Sequence, residues 1–568
     1  MKKNGLLSVA CSLFMLCSHA QNVGINSDAS LPNRNAMLDV KSSNKGVLIP
    51  RMTTEMRNRI PNTQGLLVYD ITTDNFWFNT GREWKCIPRD DDKHGSGDAW
   101  LIKGNSNTKD SVNFLGTTNN VPLNIRVHNQ PSGRIDSVHG ITFLGYRAGG
   151  NNTGGNNTAF GYQALLSNLS AGGITAMGYQ SLYSNMASDV TATGYQSLYS
   201  NTTGLFNNAD GWRTLYSNTT GYENSATGYA ALYSNTTGYQ NTAMGSNAMS
   251  GNTTGLYNTA VGTLALNASR TGNYNTAVGM GSLPNLMSGG LNTAVGASAL
   301  YGALSMTANT AIGVAAMEGA TGGNDNVAVG VFSLSHNSTG NFNVACGDQS
   351  LQFNTTGTNN IGMGFSALLT NVTGNNNTAM GFSADVSTDG LSNATAVGNG
   401  AIVNASNKVR IGNGAVTVIE GQVPFTTPSD GRFKFNIQED VRGLDFILRL
   451  RPVTYQFDVK RFDEGIAHHV VQLAAYDEAS RIRRTGFIAQ EVEKAAQASD
   501  YDFSGIIRPK TEQDHYSLSY DAFVVPLVKA VQEQQQTIEA QNKKIAEQEE
   551  RINRLEKTLN ELTKNLSK

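Results

Sequence analysis

The chain has 568 residues, 60 of them glycine, with 15% charged residues and a formal net charge of −2. One averaged globule is not built from so little charge and so much glycine, so composition has to be taken segment by segment. Broad electrostatic capture of nucleic acid is excluded, because between Arg147 and Lys408 the only Lys or Arg residues are Arg213 and Arg270, too few to neutralise a phosphate backbone.

Residues 1–20 begin with Lys2 and Lys3, run through an apolar core from Leu6 to Cys17 and end in Ser18-His19-Ala20. That order is the charged start, core and small-residue exit of a secretory signal peptide, with cleavage expected after Ala20. The core is too short to cross about 30 Å of hydrocarbon as a helix. No later apolar stretch is long enough either, so an exported, extracellular or cell-surface bacterial chain without a transmembrane segment is expected. Cys11 and Cys17 leave with the signal, and Cys86 and Cys346 lie in unrelated segments. Neither a disulfide framework, nor a metal site, nor a cofactor is predicted.

Residues 21–90 are not repetitive and predict a small β head. The alternation in Leu66 to Asp70 and Phe76 to Asn79, with Asp74-Asn75 between them, predicts a β-hairpin carrying Tyr69, Phe76, Trp77, Phe78 and, further on, Trp84. These rings are read as core or trimer interface rather than as a carbohydrate platform. Residues 91–140 follow as a linker around Asp90 to Gly97 and short strands leading onward.

From 141 to 412 the chain repeats. Anchor glycines recur from Gly145 and Gly161 to Gly381 and Gly398 at a spacing of 17, with two steps of 16. Each copy reads as a short β-compatible piece (Thr259-Ala260-Val261-Gly262), an Ala-Leu or Ser-Leu piece, and a turn of Asn, Thr and Gly such as Ser234 to Gly238. So short a unit cannot bury a core alone, so its Val, Met and Leu positions are expected to be covered by the copies above and below. The fold class predicted is mainly β: a parallel β-solenoid of 17-residue repeats with Asn and Thr ladders, giving a rod of roughly 75 Å for some sixteen coils. The Asn-x-Thr triplets resemble glycosylation acceptors but occupy the turn each coil needs, and are read as structural. Asp189, Asp210, Glu223, Glu318, Asp325, Asp348, Asp385 and Asp389 are scattered over many coils, which argues against a catalytic face on the rod. These units and turns resemble the head repeats of trimeric autotransporter adhesins, a resemblance that implies a trimeric parallel β-roll. The membrane β-barrel strands of those adhesins have no counterpart here, which leaves surface attachment open.

Half of the 42 Lys and Arg residues fall after residue 428, and residues 428–526 read as a small α+β unit. Residues 527–568 read as a coiled coil, with Val531, Ile538, Ile545, Ile552, Leu559 and Leu566 at one core position and Leu527, Gln534, Gln541, Gln548, Leu555 and Leu562 at the other. The three Gln layers weaken the seam while penalising slipped registers. The ordered motifs at Ser429 to Lys434, Arg451 to Phe457, Gly486 to Val492 and Tyr520 to Glu533 resemble the intramolecular chaperone domain of phage tail spikes and tail fibres, an autoproteolytic serine peptidase with a Ser-Lys pair. Carried over by position, the resemblance implies Ser429 as nucleophile, Lys434 as general base, Asp430 and Arg432 in orienting roles, and a cut beside Ser429, at Ser429–Asp430. Pro428 and Gly431 depart from the pattern.

A serine hydroxyl needs a base, and a lysine amine is one only where burial disfavours its charge. A trimer interface supplies burial, so cutting is expected to depend on assembly, and a single turnover on an attached peptide needs only positioning. The plainer alternative has Ser429 capping a helix and Lys434 in a surface salt bridge. His468 and His469 are read as loop residues. Near-identical coils can also associate out of step at little cost, and a C-terminal trimer with a unique register prevents that. Removing it afterwards makes the rod's stability kinetic. The sequence thus predicts a secreted or surface homotrimeric fibre, adhesin-like toward a host or surface glycan or protein ligand. A non-cleaving structural fibre and a spike acting on surface glycan are the rival readings.

Overall fold

A computed structural model describes residues 22–87, 108–109, 113–466, 475–511 and 514–567. The expected signal peptide, the linker at Asp90 to Gly97, and His468 and His469 lie outside these residues. The chain divides into two compact units, one ending at Gly116 and one beginning at Thr117. Among the described residues no helix is long and apolar enough to cross a membrane.

In the first unit the expected hairpin forms, with Leu67–Asp70 antiparallel to Asn75–Asn79 and Asp74 in the left-handed region at the turn. Arg51–Met52 and Trp84–Cys86 extend it to four strands. Helix α1 (Thr54–Arg59) is capped by the Thr53 hydroxyl, which accepts from the Met56 amide. Its Arg57 is buried, donates to Asp70 at 2.9 Å and lies 3.6 Å from the centre of the Trp77 ring. Burial pushes the Asp70 carboxyl up, but hydrogen bonds from Thr54, Thr72, Thr73 and Arg57 outweigh it and hold the group below the usual carboxylate range. Trp77 is therefore spent on packing a buried cation.

The second unit opens with an antiparallel meander, Leu123–Val127, Gln130–Asp136 and Ile141–Leu144, which covers the first edge of a long parallel ladder. From there each three-residue strand pairs in register with its copy in the next coil, as in Thr259↔Thr276, Ala260↔Ala277 and Val261↔Val278, until Val409–Ile411. From Thr158–Phe160 to Thr395–Val397 the middle residue of each three-residue strand, alanine in all but Gly362, points inward and is buried, as are Leu182, Leu198, Leu215 and their equivalents. The Met and Val that close the strand face outward instead, Met177 and Met244 being exposed. The expected cover by stacking thus holds for the Leu slot, which Met249 and Met317 also fill, but not for the residue that closes the strand, because side chains alternate and a three-residue rung has one inward place.

The anchor glycine is needed twice over. At Gly262 φ is +131°, and a Cβ there would sit 2.6 Å from the carbonyl oxygen of Gly279 in the next coil. Most coils also place three ordinary residues in the left-handed region, Gln196, Leu198 and Phe206 for example, a cost of roughly 1 kcal/mol each that stacking must offset. The stacking interactions include the expected ladders. Asn218, Asn235 and Asn252 each donate to the asparagine one coil earlier at 2.7–2.8 Å, and Thr219 donates to the Thr236 carbonyl at 3.0 Å. These asparagines head Asn-x-Thr triplets and are fully buried, so the folded rod offers no acceptor for glycan there. Stacked rings, Tyr162–Tyr179 and Tyr179–Tyr195 at 5.2 Å, add an aromatic ladder that composition alone did not announce.

After the rod come helices α2 (Leu444–Arg449), α3 (Val459–Glu464), α4 (Ala475–Arg481), α5 (Ala489–Ala498) and α6 (Val524–Leu566), with the antiparallel strands Val453–Gln456 and Arg483–Gly486 between them. Phe446, Val492, Phe503, Ile506 and Phe523 form the core of this body. Helix α6 spans 43 residues, about 65 Å, and is held to the body near its start, where Glu533 accepts from the Leu444 amide at 2.7 Å.

Replacing Asn235 with Ala removes its donations to Asn218 and to the Gly238 carbonyl and should cost about 1–3 kcal/mol, read as faster amide exchange in that coil and its neighbours. Asp385 provides a pH test. Burial pushes its carboxyl up to about 7 despite hydrogen bonds from Thr370, while an unfolded aspartate ionises near pH 4. Between those values the folded chain holds a proton the unfolded chain has lost, so stability should fall as pH rises through the window and be lowest above it. Asp385→Asn should flatten that slope in thermal melts.

Candidate active site

The chain leaves the rod at Gly414 and runs as an arm to the start of α2. Every residue from Val416 to Asp440 is exposed, and the only regular structure is a 3₁₀ turn at Gly431–Phe433. Asp430 caps this turn by accepting from the Arg432 amide at 2.9 Å, and its other oxygen accepts from Arg432 Nε at 2.9 Å. The Arg432 side chain holds the Asp430 carboxyl below its usual range. The turn brings Lys434 back so that its Nζ donates to Ser429 Oγ at 2.8 Å.

All four residues singled out in the sequence therefore share one turn. The cap is Asp430 rather than Ser429, and the partner given to Lys434 is a hydroxyl rather than a carboxylate, so the geometry departs from the plainer alternative. Among the described residues the polar partners of this turn lie within the arm itself.

The other three motifs meet in the body. Val453 pairs with Gly486 across the two strands, Arg451 forms a salt bridge with Glu491, and the Phe487 amide donates to the Tyr520 hydroxyl at 2.9 Å. Gly486 leaves room for that hydroxyl, since a Cβ there would lie 2.1 Å from it and displace the Tyr520 ring. The motifs are spaced far apart in sequence because each is one wall of the same small fold.

A further cluster escaped sequence reasoning. At the last coil Arg410 donates to Asp463 of α3 at 2.8 Å, the Gly414 amide donates to the same carboxylate at 2.8 Å, and the Tyr476 hydroxyl does so at 3.0 Å. Burial and Asp463 push the Tyr476 phenol up to about 12. Beside them Lys408 donates to Asp514 at 3.0 Å and to Asn404 at 2.8 Å. Burial, then Lys408, lowers the pKa of the adjoining His515. The available signal was the return of basic residues, Lys408 and Arg410, after a rod nearly without them.

Residues 429–501 match the family model for the chaperone of endosialidase, and residues 24–100 match that for the phage tail like trimerisation region. A search of curated proteins finds no match to the chain. The C-terminal body is thus similar to an endosialidase-type chaperone and stands behind a long parallel β-solenoid, as the ordered motifs and the repeat implied. The head adds a likeness to a trimerisation region that its sequence had suggested only through its aromatic residues. Two such regions with a solenoid between them fit a trimeric fibre.

Asp463→Ala should leave Arg410 largely buried without its carboxylate and cost about 3–5 kcal/mol at the junction. Hydrogen exchange at Gly414 and through α3 should rise, with coils near Gly262 unchanged.

Proposed function

We propose that this chain is an exported homotrimeric surface fibre, adhesin-like, whose C-terminal module sets the register of three rods and then cuts itself away beside Ser429. In this reading residues 1–20 are the export signal, 21–90 a trimerising head, 141–412 the shaft, 428–526 the chaperone and 527–568 its coiled coil. One observation carries the assembly. Helix α6 presents Val531, Ile538, Ile545, Ile552 and Leu559 along one seam, all exposed on the protomer, and nothing but other helices fits so long a heptad stripe. Ile at one core position with Gln rather than Leu through the middle of the other departs from the dimer pattern.

The Lys434–Ser429 contact supports the cut. A neutral Lys434 amine takes the Oγ proton, and Oγ adds to the Pro428 carbonyl through a five-membered ring. The Ser429 nitrogen leaves with the proton returned by Lys434, and the acyl group now sits on oxygen as an ester. Water hydrolyses that ester, giving one product that ends at Pro428 and one that begins at Ser429. Attack by Ser429 on its own carbonyl closes a four-membered ring, so a cut at Ser429–Asp430 needs the hydroxyl of another copy. Exposure of the dyad on a protomer makes cutting follow assembly, since only a covered lysine is a base at neutral pH.

Intact mass and sedimentation of wild type, Ser429→Ala and Lys434→Ala test both halves. We expect trimers from all three and a fragment of about 140 residues from wild type alone, its mass distinguishing the two bonds by one serine. Uncut wild-type trimers would remove the peptidase, and monomers would remove the assembly.

A further inference from the structure

The body carries a cleft of about 500 Å³ whose walls include Tyr455, Phe457, Phe462, Phe487, Tyr516 and Tyr520, with Gln490 beside them. The arm of the same protomer does not line it. That arm is unusually apolar for an exposed segment: Val423, Phe425, Phe433, Phe435 and Ile437 are 74–91% exposed, far beyond the scattered apolar surface of an ordinary soluble domain.

We propose that the cleft receives the Ser429-bearing arm of a neighbouring copy, so that each processing site is completed across a subunit boundary. This rests on the trimeric reading above. Both ends of the arm are fixed, at the Asp463 cluster through Gly414 and on α6 through Leu444 and Glu533. Its far end therefore leaves from beside the helix whose seam other copies must cover, and the nearest foreign surface is a neighbour's body. Chemistry matches on the two sides, an aromatic-walled cleft facing an arm whose large side chains are aromatic and aliphatic.

The local geometry places the reacting pair correctly. Lys434 is extended, with φ −99° and ψ 132°, so Phe435 after it points away from the face on which Lys434 reaches Ser429, and Phe433, on the 3₁₀ turn before it, is exposed as well. Seating those rings in a neighbour's cleft lays the dyad along the cleft rim and strips water from it. An arm whose own protomer supplies no cover becomes a reporter of assembly: the lysine loses its hydration only when a second body is present.

Cysteine pairing in the full chain tests this, in a Ser429→Ala, Cys86→Ser, Cys346→Ser background. One tagged chain carries Phe435→Cys, a differently tagged chain carries Gln490→Cys, and the two are co-expressed and oxidised. A disulfide joining the two tags on a denaturing gel is the expected result. If a single chain carrying both cysteines instead closes an internal bond and the mixed pair does not join, the arm occupies its own cleft and the proposal is overturned. Sedimenting trimers that give no bond of either kind overturn it equally, while leaving the assembly reading intact. Monomers would end both. Phe435→Ser in the otherwise native chain gives a second readout, with trimers retained and self-cutting slowed by about tenfold or more.

Discussion

The constraint on which everything else depends is that a coil of this rod bonds only to the coil above and the coil below it. Its strand is three residues long, its interior is two small residues and one leucine or methionine beside buried asparagine, and most coils hold three non-glycine residues in left-handed backbone. None of that is stable in isolation, so each coil borrows its stability from its neighbours. Cooperativity of this kind makes the shaft strong once formed and poor at choosing its own ends. The antiparallel meander at Leu123 to Leu144 closes one end with ordinary hairpin chemistry, and the charged cluster at Arg410 and Lys408 fastens the other to the body.

The same constraint explains what could be seen in the sequence. A glycine that must sit at positive φ against the next coil's carbonyl recurs at a fixed interval, and an asparagine that must reach the asparagine one coil earlier recurs with it. The first is a backbone demand and is printed in every copy, while the second is a buried side-chain ladder that lapses at Ser269, Leu286, Ala303 and Ala320 and resumes at Asn337. Side-chain direction was less legible: Val261 and Met244 look like core by composition, yet period-two geometry turns them outward. The aromatic ladder depends on equivalent positions stacking in three dimensions, which a list of tyrosines does not state.

At the C-terminal end legibility followed distance along the chain. Ser429 and Lys434 are five residues apart and are brought together by one 3₁₀ turn with an Asp430 cap, a local event that a motif can encode. The Asp463 cluster joins Arg410, Gly414 and Tyr476 across more than fifty positions, and no pattern within a window contains it. What the motifs at Arg451, Gly486 and Tyr520 did preserve was their mutual fit, because each one leaves a physical demand on the others, including the absence of a Cβ under the Tyr520 hydroxyl.

The position of Ser429 between these two regions gives the arm its meaning. Lys408, Arg410 and Gly414 lie on the rod side of the proposed cut, whereas Asp463, Tyr476 and Asp514 lie on the body side. Hydrolysis beside Ser429 therefore removes the covalent tie but leaves the largely buried Arg410–Asp463 and Lys408–Asp514 pairs in place, and pairs of that kind resist separation of one partner from the other. Cutting and departure are then separate events with separate barriers. In the proposed reading the rod would be released only when that junction opens to water. A cut placed before Lys408 would have taken the last coil's own charges away with the body and frayed the ladder. Placed beside Ser429, in an arm that contributes nothing to either hydrophobic core, the proposed cut would sever the chain without removing a single rung.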